Sequence, residues 1–134
     1  VSEHAAIEAT LHAVASALDE RDWAALGAAF TEDAHGYGAD GRAAIVARVR
    51  EHLGGCGSSQ HLLGNVRVTV EDGTARSLAY GRVFHVGADD PRAFYECMGE
   101  YHDRWLRTPE GWRLTRRRFV VTIERGDRGV LRPG

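Results

Sequence analysis

The sequence predicts an α+β fold in which helices come first and an antiparallel meander follows, with the helices packed on one face of the sheet. Three observations carry this. Up to residue 53 the apolar residues recur at helical spacing. From residue 58 onward, four long segments (about 61–71, 75–87, 93–107 and 111–125) are rich in Val, Tyr, Phe, Trp and Thr. The connections between them, "EDGT", "GADDPR" and "TPEG", are turn chemistry.

The elements follow in order. "HAAIEATLHAVASALDERD" spaces Ile7, Leu11, Val14, Ala15 and Leu18 as one helical face. Asp22 can cap a second short helix, "WAALGAAF". "TEDAHGYGADG" reads as a turn with a short strand. "RAAIVARVREHL" forms a third helix, which "GGCG" stops. No repeat, low-complexity tract or linker interrupts the 134 residues, so residues 1–134 are expected to form a single domain.

Composition narrows the function. With 43% apolar and 27% charged residues, the chain reads as globular. A net charge of −2 argues against electrostatic nucleic-acid binding. No apolar run reaches membrane-spanning length and none reads as a signal peptide, so no membrane partner and a cytoplasmic location are expected. All 17 basic residues are arginine. Cys56 and Cys97 match no metal or redox spacing.

Strand faces place the chemistry. Ala75, Ser77, Ala79, Gly81 and Val83 share a face with His85, a small-residue row that leaves room for helices or a cavity. The opposite face, with Arg76, Leu78, Tyr80, Arg82 and Phe84, has the composition of an interface as well as that of a half-solvated sheet. On the next segment Tyr95, Cys97, Tyr101, Asp103 and Trp105 share one face. Asp103 is therefore a carboxylate among aromatics, either a general acid, an anchor for a donor, or the partner of an arginine. In "SSQHLLGNVRVTV", strict alternation separates His61 from Val66, Val68 and Val70. One bulge at Gly64–Asn65 brings His61, Leu63 and the three valines onto the same inward face.

The seven histidines form no HExxH motif or tight His/Cys cluster, so no metal is expected. GxSxG, GxGxxG and P-loop motifs are absent, so a nucleophilic hydrolase is disfavoured and no cofactor is expected. Interior histidines, tyrosines and one or two carboxylates remain, a set suited to proton transfer beside a carbonyl.

At this point the chain resembles the SnoaL-like branch of the nuclear transport factor 2-like superfamily. The residues that carry the resemblance are "DWAALGAAFTEDA", "SSQHLLGNVRVTV" and "GEYHDRWLRTPEGWRLTRRR". It implies a cone-shaped, curved antiparallel sheet wrapped around three N-terminal helices and enclosing a deep pocket. The superfamily holds dehydratases, isomerases and cyclases as well as non-catalytic subunits. Scytalone dehydratase and bile acid dehydratase are the members it most resembles. Against the former, Asp19 before "RDW", Tyr37, His61 in "QHL" and His85 fall at matching positions, whereas Leu18 stands where a tyrosine is expected. Tyr101 or Asp103 is the candidate replacement.

The expectation is a cofactor-independent dehydratase, isomerase or cyclase acting on a carbonyl-bearing polyketide-like or aromatic small molecule. Its catalytic set is His61 oriented by Asp19, with His85 and Tyr37 binding the carbonyl or leaving hydroxyl. Tyr101, Asp103, Leu63 and Trp23 are expected to contact substrate. Asp19 is also readable as an exposed acid in "DERD". The alternatives are a small-molecule-binding module or an oxygenase small subunit of the same fold. The apolar row on the outer sheet face predicts a homodimer, although trimers also occur among the relatives.

Overall fold

The computed structural model describes residues 2–134. Helix α1 spans Glu3–Glu20; the Ser2 hydroxyl accepts from the Ala5 amide at its start, and Arg21 ends it in the left-handed region at φ 56°. Ile7, Leu11, Val14 and Leu18 are all at most 2% exposed, the buried face the spacing predicts. Asp22 caps α2, Trp23–Ala28, by accepting from the Ala25 amide. Helix α3, Arg42–Leu53, has the predicted bounds and buries Ile45, Val49 and Leu53.

Between α2 and α3 there is more strand than the turn reading allowed. Strand β1 runs Phe30–Gly36 and β2 Ala39–Asp40. They pair with each other, and β1 also lies parallel to the last strand, a long-range pairing that no local pattern announces. The meander is β3 (Ser59–Glu71), β4 (Thr74–Val86), β5 (Phe94–Thr108) and β6 (Gly111–Gly126). The sheet order is β2-β1-β6-β5-β4-β3. A 3-10 turn at Arg128–Val130 follows, and the tail returns to α3, where the Arg132 amide donates to the His52 carbonyl.

Three bulges decide which side chains face inward. In β3 the register slips between Gly64 and Arg67, with Asn65 at φ 46°, where the sequence placed it. His61, Leu63, Val66, Val68 and Val70 turn inward, and Arg67, Thr69 and Glu71 are exposed. In β6 one slip lies between Leu114 and Arg116 and another between Val121 and Ile123. The first places Arg117 and Phe119 on the same inner face as Trp112 and Leu114; the second turns Ile123 out to 52% exposure.

The small-residue row on β4 is buried as expected, but much of the room above it is filled by rings from β5. Trp105 Nε1 donates to the Ser77 hydroxyl at 2.9 Å. A Cβ on Gly81 would lie 2.6 Å from a ring carbon of Tyr101, so only glycine lets that ring lie flat there. The helices cover the half of the sheet around Trp105, Trp112 and Leu114. Val83, Tyr95, Cys97 and Val130 form a smaller second cluster. A cavity opens beside it.

Candidate active site

The cavity has a volume of about 620 Å³ and is walled by α3, strands β3–β6 and the residues after β6. Its floor is mostly apolar, with Leu18, Val49, Leu53, Val83, Phe119 and Val121. Its polar groups are His61, His85, Tyr37 and Tyr101, with Arg48, His52 and Arg128 also contributing to the wall.

Asp19 occupies the last turn of α1, where the helix dipole disfavours a carboxylate. Hydrogen bonds from β3 offset this. Oδ1 lies 2.6 Å from His61 Nδ1, Oδ2 accepts from the His61 amide at 2.9 Å, and the Ser59 hydroxyl donates to Oδ1 at 2.9 Å. Burial alone would raise the Asp19 carboxyl, but these bonds, led by the His61 ring, outweigh it and hold the group below the usual carboxylate range. Because a carboxylate only accepts, Nδ1 of neutral His61 carries the ring proton. Nε2 is left with its lone pair. No buried side-chain nitrogen or oxygen lacks a partner among the described residues, so this unbonded Nε2 is open to the cavity.

Arg21 stands behind the pair. Its guanidinium donates to the carbonyls of Leu18, Leu53 and Gly57 and to the Ser59 hydroxyl. It thereby ties the end of α1 to the end of α3 and the start of β3.

His85 is 4% exposed, and its ring meets His61 edge-on, with centroids 6.1 Å apart. Its Nδ1 donates to the Tyr95 carbonyl at 2.8 Å. Burial lowers its tendency to protonate, so its Nε2 is an acceptor rather than a donor. The expected role of donating to a carbonyl does not suit this tautomer; accepting from a substrate hydroxyl does. Tyr95 stacks on His85, and its own hydroxyl donates to Glu124 at 2.5 Å. Burial first, and that bond second, push the phenol up to about 12.

Tyr101 is the donor that His85 is not. Its ring stacks on Phe119 at 4.3 Å between centroids, and the Arg117 guanidinium lies 4.0 Å from the ring centroid. Its hydroxyl has no partner among the described residues and is open to the cavity. Burial pushes this phenol far up, so it stays protonated. Tyr37 lies in the turn after β1, at φ 52°, rather than within a strand, and its hydroxyl accepts from Arg117 at 3.4 Å.

Three expected substrate contacts are corrected. Asp103 does not line this cavity; both its oxygens accept from Arg117, at 2.9 and 3.0 Å, and both side chains are sealed in the sheet. Leu63 faces inward but packs against the main core. Trp23 is half-buried at the start of α2, also against the core, with Arg50 over its ring. The sequence reading missed Arg21, Ser59, Tyr95 and Arg117. For Arg117 the signal was masked by the bulge before it: alternation counted from Trp112 and Leu114 points Arg116 and Arg118 inward instead. Cys97 reaches the cavity wall, and burial pushes its thiol up, away from a nucleophilic state.

A curved sheet over three helices, with an Asp–His pair on the wall of a deep pocket, defines the class in structural terms. The sequence profile of the SnoaL-like domain matches residues 1–118, and the chain belongs to that family. An uncharacterized protein of Mycobacterium tuberculosis is 34% identical over 123 residues, covering 87% of this chain and 84% of its own. A solved structure named as a candidate aromatic ring hydroxylase from Novosphingobium aromaticivorans is 29% identical with a TM-score of 0.85, covering 96% of this chain and 95% of its own. A candidate scytalone dehydratase from the same organism shares the fold at 22% identity and a TM-score of 0.84, over 91% of this chain and 85% of its own. No helix among the described residues is long and apolar enough to cross a membrane.

Proposed function

We propose that the protein is a cofactor-independent acid–base enzyme, foremost a dehydratase, acting on a β-hydroxy carbonyl compound of polyketide-like or aromatic type. The observation that carries this reading is the Asp19–His61 pair, whose free Nε2 opens onto a mostly apolar cavity. His61 Nε2 takes a proton from the carbon beside the carbonyl, and Asp19 stabilises the imidazolium that forms. Tyr101, assisted by Tyr37, donates to the carbonyl oxygen as it becomes an enolate. His85 Nε2 accepts from the substrate hydroxyl and fixes its position. The enolate electron pair then forms the C=C bond as the C–O bond breaks, and His61 returns its proton to the departing hydroxyl, which leaves as water. General acid–base catalysis of this kind is worth roughly 10²–10⁴ in rate.

The test is to offer β-hydroxy ketones with aromatic or fused-ring bodies and follow the absorbance of the enone. Turnover supports the enzyme. Tight binding without turnover supports a binding module on the same pocket.

The other end of the outer sheet face favours self-assembly, and we propose a homodimer through it. Leu62, Tyr80 and Ile123 are 62%, 51% and 52% exposed around a groove of about 570 Å³. Arg82–Glu96 and Arg67–Glu100 ion pairs supply both signs of charge beside it, as a two-fold, self-complementary contact requires. An oxygenase-type subunit would use the same groove for a different chain. A monomer that pairs only with another protein would favour that reading.

A further inference from the structure

The outer face of the sheet divides by register. One half carries the apolar groove; the other carries arginine. Arg76, Arg104 and Arg116 stand side by side on β4, β5 and β6, each directly opposite the next. Two residues along, His102 and Arg118 form a second row, with Arg67 on β3 at its edge. All six line one shallow concavity of about 450 Å³.

Like charges directly opposite one another on adjacent strands destabilise a sheet. This chain has 19 acidic residues to relieve such a cluster and does so nearby, where Glu96 pairs with Arg82. Within the rows a single acid does so, Glu100, which engages Arg67 and His102. Asp103, beneath the rows, turns its carboxylate to Arg117 on the other face. Arg76, Arg104, Arg116 and Arg118 make no ion pair or side-chain hydrogen bond to any described residue.

We propose that these arginine rows are a second binding site, separate from the cavity, for a small ligand carrying two or more phosphate groups. Guanidinium forks suit phosphate because they bind it through paired N–H donors. With strands about 4.8 Å apart, a row of three spans about 10 Å and the two rows lie about 7 Å apart, the reach of two or three linked phosphates. The patch is too short for the 6–10 phosphate contacts typical of duplex binders. It also lacks a free stacking ring, since the nearest exposed aromatic, Tyr80, has Arg67 over its face. An acidic protein segment would want an apolar anchor, and Leu78 is the only aliphatic side chain lining the concavity.

Titration calorimetry with sodium tripolyphosphate, at an ionic strength fixed with sodium chloride, tests the site. The expected result is saturable binding to the wild type, at least about tenfold tighter than inorganic monophosphate. Arg104→Gln, at the centre of the first row, weakens it about tenfold or more, the loss of a charge-assisted contact. Arg92→Gln, on a distant exposed loop, leaves it unchanged. The proposal is overturned if sodium chloride competes the binding away entirely at 0.15 M, if Arg104→Gln binds as the wild type does, or if a single-stranded oligonucleotide binds more tightly than tripolyphosphate.

Discussion

Arg21 holds the Ser59 hydroxyl at 2.8 Å, and because a guanidinium only donates, the hydroxyl proton turns to Asp19. A hydrogen-bond network of fixed polarity thus converges on Asp19, from Arg21 through Ser59 on one side and from His61 on the other. Its product is one tautomer of His61, with Nε2 free.

The network is testable without a substrate. Ring ¹⁵N spectra of the wild type should show His61 protonated at Nδ1 when neutral. Asp19→Asn should shift population toward the Nε2–H form, because an amide cannot accept from the His61 ring, the His61 amide and Ser59 all at once. Ser59→Ala should move the same signal in the same direction by less. Unchanged His61 spectra in Asp19→Asn would mean that the carboxylate does not set the tautomer.

Tyr101 and Gly81 separate packing from chemistry. Tyr101→Phe keeps the ring between Phe119 and Arg117, so the melting temperature should stay within about 2 °C, while turnover falls about 10²-fold with loss of the carbonyl donor. Gly81→Ala drives a Cβ to 2.6 Å from the ring and should destabilise by about 1–3 kcal/mol. Calorimetric melts of both variants check this. A Tyr101→Phe variant with full turnover removes Tyr101 from the mechanism.

Stability should fall on acidification in two stages. His85 titrates below its ordinary value of about 6.5 when folded, because burial disfavours its charge. As pH drops below about 6.5 the unfolded chain binds a proton that the folded one refuses, and stability declines until the folded value is reached. Asp19 is depressed in the fold, so its contribution is complete above its ordinary 3.8 and is lost as pH falls from there through the folded value. Urea titrations from pH 7 to 3 should show that His85→Gln flattens the first decline and Asp19→Asn the second. Parallel curves for wild type and His85→Gln would contradict the first assignment.

Local patterns made much of this legible. The end of α3 followed from the glycines that stop it, and the β3 bulge followed from one glycine and three valines that would otherwise face the wrong way. That bulge brought His61 indoors and made its pairing with Asp19 readable. The bulges in β6 left no such mark, because "LTRRRF" offers arginine at every candidate position. Arg117 was therefore invisible, and the arginine pairing that the sequence left open for Asp103 could not be given its residue. Arg21 was hidden for another reason: it holds a left-handed helix end that usually selects glycine, inside a run of charges that reads as solvated surface. Leu63 was read correctly as facing inward but wrongly as a cavity residue, since strand parity fixes a face and not a position along it; Trp23, at the start of α2, packs against the core instead of reaching the cavity.

Assembly rests on the apolar half of the outer face. Light scattering at micromolar concentration should give twice the chain mass, and Ile123→Asp should return it to one chain mass with the fold intact by circular dichroism. A wild-type monomer under those conditions removes the dimer.

The central claim is that His61 Nε2 removes a proton from carbon beside a carbonyl. The most direct measurement is hydrogen–deuterium exchange at that carbon, followed by proton NMR in D₂O, for aromatic and fused-ring ketones that the protein binds. This isolates proton abstraction from the fate of any leaving group. The account predicts that the wild type accelerates exchange, and that His61→Ala slows it by about 10²-fold or more while binding the same ketone and melting at nearly the same temperature. Equal exchange by the two proteins, or none by the wild type with the ketone bound, would contradict it.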